Sequence, residues 1–247
     1  MNSNPETSII IRTKNEAGSI AKTLEKLFAQ TYTNFEILVI DSGSTDQTLE
    51  IAKEYPVRIL HIPPEDFSYP YALNYAIEKS LGAKYIVSIP AHALPISKTW
   101  LADGITSFQK YAKVCGVYGF IKPLPDGSLW DKIIIHTYNS GLFLRLRYKT
   151  HIQRSWTKGI LGNTNAIILK SLWKKRRYKE EYGAGGEDEE WADYWTKQGY
   201  IVIKDTKFTV YHSHKLSFVG WTAQLNEWYK ASKDERKFQV LTYRTNG

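Results

Sequence analysis

Short aliphatic runs alternate with amphipathic stretches along the first hundred residues. Residues 9–11 (Ile-Ile-Ile), 37–40 (Ile-Leu-Val-Ile), 58–62 and 85–89 are rich in β-branched or bulky apolar side chains and bounded by polar or Gly/Pro turns, the pattern of internal strands. Between the first two, Ile20, Leu24, Leu27 and Phe28 recur at i, i+4, i+7 and i+8, which predicts a helix with one apolar face. Leu73, Ala76 and Ile77 stripe a second helix that runs through Leu81 and is closed by Gly82. Further on, residues 114–119, 166–168 and 208–211 read as strands. Glycines at 183, 185 and 186 precede a helix carrying Trp191, Ala192 and Trp195 on one face. The region around Trp130, Tyr138 and Trp156 reads as irregular, with residues 139–155 expected to form a mobile lid. Phe218, Trp221, Leu225 and Trp228 give residues 216–243 a helical stripe, able to pack back on the domain or to lie on a membrane or partner. A β-α-β start repeated in this way predicts an α/β fold.

The strand ends carry the chemistry. Residues 36–46, EILVIDSGSTD, join a buried strand to a Ser/Gly turn and then a helix start that Asp46 can cap ahead of Gln47. Asp41 therefore stands at a strand's carboxyl end, where open α/β sheets collect ligands and a carboxylate can accept from a ribose hydroxyl or a base N–H. An ordinary β-to-α turn is the plainer alternative. Residues 12–16, Arg-Thr-Lys-Asn-Glu, form a similar polar turn after the first strand.

The chain's 247 residues suffice for one large domain, its hydrophobic fraction is 43% and its mean hydropathy is −0.39. No apolar run approaches the ~20 residues of a membrane span. The polar start leads straight into a strand and predicts no export signal. The single Cys115 cannot form an internal disulfide and falls in a strand pattern, so it is expected in the core. A net charge of +8 implies an acidic partner: nucleic acid, an anionic membrane surface, or a diphosphate-bearing substrate. The dense basic run is residues 174–177, flanked by Lys170 and Lys179, and residues 142–148 alternate apolar and basic; either could equally be a solvated face.

The Asn-Glu turn at residues 15–16, Gln30 before the second strand, and the Asp-x-Gly-Ser-x-Asp turn at residues 41–46 together resemble the amino-terminal half of a family 2 glycosyltransferase. The resemblance spans about residues 7–215. It implies a GT-A-like, mixed and mostly parallel sheet with helices on both faces, and a nucleotide site lined by Arg12, Thr13, Glu16, Asp41 and Ser42. The family's Asp-x-Asp metal signature is altered here: Pro90 holds the first Asp position and His92 the second, with Ala91 between. Asn74 matches an Asn on the preceding helix, and the family's Gly-x-Asn-x-Ala-style segment, which here falls at residues 158–168, makes Asn163 and Asn165 candidates for donor or acceptor contacts.

An imidazole suits Mn, Zn or Fe better than Mg and needs a further protein ligand. Related families pair an Asp-x-His with a downstream His, so His92 with His212 or His214 is similar to that arrangement without its Asp. The alternative is that His92 and its neighbours hold the diphosphate directly through hydrogen bonds. Glu187-Asp188 resembles the Glu-Asp pair of inverting members, which implies Asp188 as general base and Glu187 orienting the sugar or the base. Four acids in a first helical turn could also simply complement the helix dipole.

The reading is a single domain over residues 1–247, with a nucleotide-binding half to about 95, an acceptor half to about 215 and a helical extension. It implies an inverting enzyme that moves a sugar from a nucleoside-diphosphate donor to a glycan or lipid-linked acceptor in bacterial surface polysaccharide synthesis. Mn or Mg would be the cofactor. A cytoplasmic location, with peripheral contact at the inner membrane face as a candidate, and no nucleic-acid partner complete it. The Ala-Leu-Pro after His92 is similar to a rhamnosyltransferase-like bacterial branch. A non-catalytic nucleotide or glycan binder of the same descent is the alternative. A nucleotidyltransferase would want a Gly-rich first loop, and no glycine precedes Gly18.

Overall fold

The computed structural model describes residues 4–140, 149–157, 159–183, 185–213 and 216–231. The strands among the described residues form one nine-stranded sheet: β1 (Thr7–Thr13), β2 (Phe35–Asp41), β3 (Arg58–His61), β4 (Tyr85–Pro90), β5 (Leu94–Pro95), β6 (Val114–Lys122), β7 (His151–Gln153), β8 (Ala166–Leu169) and β9 (Ile201–Tyr211). Their order is β3-β2-β1-β4-β8-β6-β9-β5, with β7 pairing β9 beside that path. The block β3-β2-β1-β4 is parallel, β8 runs against both β4 and β6, β6 and β9 are parallel, and β5 and β7 oppose β9. Most strands thus share one direction in a mixed sheet.

Helices α1 (Ile20–Phe28), α2 (Thr48–Lys53) and α4 (Trp100–Lys110) cover one face, while α3 (Tyr69–Lys79), α6 (Lys170–Lys175) and α7 (Glu187–Lys197) cover the other. The isoleucines of β1 explain how a continuous apolar run serves both. Ile9 and Ile11 enter the core under α1 and Ile10 the opposite core, all fully buried. Because β2 and β3 lie to one side of β1 and β4 to the other, the chain reverses between β1 and β4. In open α/β sheets a crevice forms at the carboxyl ends of such a pair.

Residues 129–140 correct the expectation of irregular structure, since Leu129–Ser140 is a helix, α5. Ser128 and Asp131 cap it reciprocally. The Asp131 N–H donates to Ser128 Oγ at 3.0 Å, and the Ser128 N–H donates to Asp131 Oδ2 at 3.0 Å. A final helix, α8 (Phe218–Ala231), packs on α5, and buried Trp221 donates its indole N–H to buried Asp131 Oδ1 at 2.7 Å. Of the expected lid, the two ends are the last residues of α5 and strand β7; residues 141–148 lie outside the described residues. The side chains of Leu225 and Trp228, and residues 232–247, lie outside them too. Cys115 is buried as expected, and burial pushes its thiol up to about 12.

β6 and β9 approach closely at Gly119, where a Cβ would stand 1.2 Å from the Phe208 carbonyl oxygen. That carbonyl accepts from Asn165 Nδ2 at 2.6 Å, and Asn165 Oδ1 accepts from Trp100 Nε1 at 3.2 Å. Asn165 is therefore a core pin between strands. Gly119→Ala should force β6 from β9 and destabilise the domain by about 3 kcal/mol or more, read as a lowered urea midpoint.

Candidate active site

Two polar turns meet over the ends of β1 and β2. In register, Thr13 faces Asp41. Asn15 adopts a left-handed φ of 55°, which asparagine tolerates, and its Oδ1 accepts from the Thr45 N–H at 2.8 Å; its own N–H donates to Ser44 Oγ at 2.9 Å. Asp46 ties the turns again, accepting from the Ala17 N–H at 3.1 Å and from both the N–H and the hydroxyl of Thr48; α2 starts at Thr48 with Gln47 as its N-cap, so Asp46 stands one residue before the cap position rather than at it.

Asp41 is 2% exposed, and its carboxylate holds the turn's own donors: Gly43 N–H at 3.1 Å, Ser44 N–H at 3.2 Å and Ser44 Oγ at 2.5 Å. Gly43 has φ 90°, and a Cβ there would meet Pro64 at 2.5 Å, so the loop curls tightly around that carboxylate. His61, at the end of β3, brings Nδ1 within 3.7 Å of Asp41 Oδ2. Ser42 is buried against the Thr13 carbonyl. The hydroxyl of Thr13 and Nε of Arg12 are buried without a hydrogen-bond partner among the described residues, and Arg12 also sits 5.2 Å from the centre of the Tyr69 ring. Orphaned polar atoms at a topological switch point are where a ligand would supply the missing partners.

Beyond β4, a relay of three side chains crosses the crevice. Glu16 Oε1 lies 2.6 Å from His92 Nδ1, and His92 Nε2 lies 2.9 Å from His212 Nε2, with the imidazoles stacked at 4.7 Å. The carboxylate fixes the His92 tautomer: Nδ1 carries the hydrogen, so in the neutral ring Nε2 presents a lone pair that His212 caps. His212 is held by its own N–H, which donates to the Lys122 carbonyl at 2.8 Å. Two imidazole nitrogens facing one point, one of them backed by a carboxylate, are a fitting half-site for a transition metal. Among the described residues no group of three or more His, Cys, Asp or Glu could hold one, so oxygens from a ligand would have to complete it. His214 lies outside the described residues.

The second group of expected residues gathers on Asn163. Its N–H donates to Asp188 Oδ2 at 2.9 Å and its Nδ2 to Glu187 Oε1 at 2.9 Å. Its carbonyl accepts from Arg12 Nη2 at 3.1 Å and Ser88 Oγ at 2.8 Å, and its Oδ1 from the Tyr178 hydroxyl at 3.3 Å. The first turn of α7 is thereby bonded to the ends of β1 and β4. Burial, with Glu187 beside it, pushes the Asp188 carboxyl up to about 8, although the Asn163 and Glu189 N–H groups oppose the rise. The helix N-terminus favours the anion by only about 0.3–1 kcal/mol, too little to reverse that rise. Asp188 nevertheless retains some solvent exposure, as a group at the bottom of a cleft does. Tyr178 is driven well above the usual tyrosine range by burial and then by Asp188, which keeps it a neutral hydrogen-bond donor.

Two expected donor contacts do not form part of this constellation. Asn74 spends both amide hydrogens on the Tyr178 carbonyl (2.9 Å) and Glu180 Oε1 (3.0 Å), and its oxygen accepts from Trp173 Nε1 and the Tyr178 N–H. All four of its bonding positions are filled, so it braces α3 against the chain before α7. Ala91 is fully buried, and both its backbone polar groups are engaged, its N–H on the Arg12 carbonyl and its carbonyl on Thr23 Oγ1. Conversely, His61, Tyr69, Ser88 and Tyr178 were not singled out in the sequence; register with Asp41 marks only His61, at the end of the neighbouring strand.

Residues 8–177 match the model of glycosyl transferase family 2, and the chain belongs to that family. It is 35% identical over 147 residues to the dolichyl N-acetyl-alpha-D-glucosaminyl phosphate 3-beta-D-2,3-diacetamido-2,3-dideoxy-beta-D-glucuronosyltransferase of Methanococcus voltae, covering 54% of this chain and 45% of that one. To an O-antigen chain rhamnosyltransferase of Salmonella typhimurium it is 25% identical over 213 residues, covering 84% and 66%. Among solved structures, a mannosyltransferase from Pyrobaculum calidifontis in complex with GDP-Man and Mn2+ matches with a TM-score of 0.66 at 20% identity, covering 98% of this chain and 65% of that one. GalNAc-T7 with UDP, GalNAc and Mn2+ matches at 0.64 and 18% identity, covering 96% and 50%. The GT-A-like fold implied by the sequence is the fold of the chain. It spans 45–66% of the length of these relatives.

Asn163→Ala deletes two side-chain bonds to the buried Glu187 and Tyr178, and should cost about 2–3 kcal/mol, measured by urea denaturation at neutral pH. Asn163→Asp, which adds a third carboxyl to the pair, should cost more.

Proposed function

We propose that this chain transfers a sugar, with inversion, from a nucleoside-diphosphate donor to a hydroxyl of a glycan or lipid-linked acceptor. The observation that carries this is the bonding of Asp188, through Asn163, to Arg12 at the β1–β4 crevice, which brings a high-pKa carboxyl to the strand ends where a nucleotide would lie. The relatives named above, with their dolichyl-phosphate and O-antigen acceptors and their GDP-Man or UDP complexes, support the same chemistry. A role at the cytoplasmic face of a membrane accords with such acceptors; no helix among the described residues is long and apolar enough to cross one.

In this reading Thr13, Asp41, Ser42 and His61 border the nucleoside, and Arg12 faces the diphosphate. Asp188 removes the proton from the acceptor hydroxyl as its oxygen bonds to the anomeric carbon. The bond from that carbon to the diphosphate oxygen breaks in the same displacement, and the nucleoside diphosphate departs with the electron pair. Glu187, fixed by Asn163, raises the basicity of Asp188 and orients the sugar.

His92 and His212 would hold a divalent metal, Mn more readily than Mg, with Glu16 fixing the ligating tautomer. Such a metal supplies positive charge to the departing diphosphate. A second reading, favoured by Pro90 at the altered signature, is that the chain binds a nucleotide or glycan without turnover.

Asp188→Asn should keep donor binding by calorimetry and lose turnover by about 10²–10⁴-fold. Unchanged turnover removes Asp188 from the mechanism, and absence of donor turnover in the wild type supports the binder. Since the carboxyl must be ionised to accept the proton, kcat/KM should rise with pH and level off only above about 8. Mn titrated calorimetrically into Glu16→Gln should bind about 10–100-fold more weakly than into the wild type. Full transfer in the presence of chelator argues instead for direct hydrogen bonding of the diphosphate by the imidazoles.

A further inference from the structure

An apolar patch stands beside the crevice, outside the constellation just described. Leu129 and Trp130 open α5, and Phe218 and Val219 open α8; they are 68%, 38%, 52% and 73% exposed. The Trp130 and Phe218 rings touch at 4.7 Å between centroids, so the two helix starts present one surface. Large aliphatic and aromatic side chains this exposed and this adjacent mark a surface that another phase or partner covers.

The patch is rigidly tied to the His212 side of the crevice. Ser128 Oγ donates to the Leu216 carbonyl at 2.8 Å, the Leu124 N–H to Ser213 Oγ at 3.3 Å, and Trp221 Nε1 to buried Asp131. Its flanks are basic. Lys132 lies three residues from Leu129 on α5, Lys122 ends β6, and both are exposed; α8 has no acid in its first turn. Of the two carboxylates between Lys122 and Lys132, Asp131 is buried and Asp126 is exposed, which leaves this flank with two exposed lysines against one exposed acid. The chain as a whole carries +8.

We infer that the Leu129–Trp130 and Phe218–Val219 patch docks on an anionic phospholipid bilayer, setting the His212 side of the crevice against the membrane surface. The chemistry fits. Aromatic and aliphatic side chains enter the boundary between headgroups and acyl chains, tryptophan is suited to that depth, and flanking lysines meet the negative surface potential. A second copy of this chain is opposed by the net charge, since like-charged faces would be brought together. What the bilayer presents, a lipid-linked acceptor, rests on the transferase reading; docking itself does not.

Sedimentation of the full chain with vesicles tests this without any turnover, so its failure is separable from failure of the transferase reading. The chain should bind phosphatidylglycerol–phosphatidylcholine vesicles, far less at high salt or on phosphatidylcholine alone, and Leu129→Ser with Val219→Ser should weaken binding about tenfold. Quenching of tryptophan fluorescence by brominated lipid should fall in Trp130→Phe, a mild change that reads the same contact if the double variant folds poorly. No vesicle binding, binding and quenching indifferent to these substitutions, or a dimer in light scattering that the double variant dissociates would each overturn the inference.

Discussion

Five hydrogen bonds on one buried asparagine hold the two halves of the crevice together. Asn163 is 4% exposed and connects Arg12 and Ser88, at the ends of β1 and β4, to Glu187 and Asp188 at the start of α7. Without it, buried Glu187 would lose its bond to the Asn163 amide and Asp188 one of its two N–H donors, raising the cost of holding two carboxyl groups side by side. The side-chain amide donates to Glu187 and accepts from the Tyr178 hydroxyl at once, while the backbone N–H and carbonyl of the same residue serve Asp188, Arg12 and Ser88.

That clasp has a chemical consequence. The surroundings of Asp188 oppose one another: N–H groups and a helix start favour the anion, while burial and Glu187 disfavour it, and the latter prevail. A carboxyl held near neutrality is a stronger base than an exposed aspartate. Across the crevice the opposite arrangement holds, where Glu16 pins one imidazole so that two ring nitrogens meet at one point. The crevice thus separates a proton-accepting side from a side suited to cations or phosphate oxygens, and β1 supplies a residue to each through its end and the turn that follows.

Much of this was legible from periodicity. The aliphatic runs of β1, β2 and β4 are buried on both faces and could be little else than internal strands, and the polar turns following them mark the ligand end. The helix at residues 129–140 was missed even though Ser128-x-x-Asp131 is a capping signature, because the aromatic and isoleucine residues after it give little amphipathic contrast. The basic run at residues 174–177 was open to either a docking or a solvated face; Arg176 pairs with Glu190, 14 residues on, and Arg177 with Glu78, 99 residues back, so half of it is paired within the chain.

Local pattern by itself determined the order of the elements over the first hundred residues, the α/β class and the residue types at the strand ends, because burial and turn formation act on neighbours in the chain. Only the tertiary structure decided which of those residues are spent and which face the crevice. Asn74 and Asn163 are both asparagines near glycosyltransferase-like motifs, yet one is saturated by Tyr178, Trp173 and Glu180 and the other bridges β1 to α7. Asn74's partners lie about a hundred residues on and Asn163's range from 15 to 151 residues away, and a hydrogen bond's identity depends on where its partner is brought, not on the residue that seeks it.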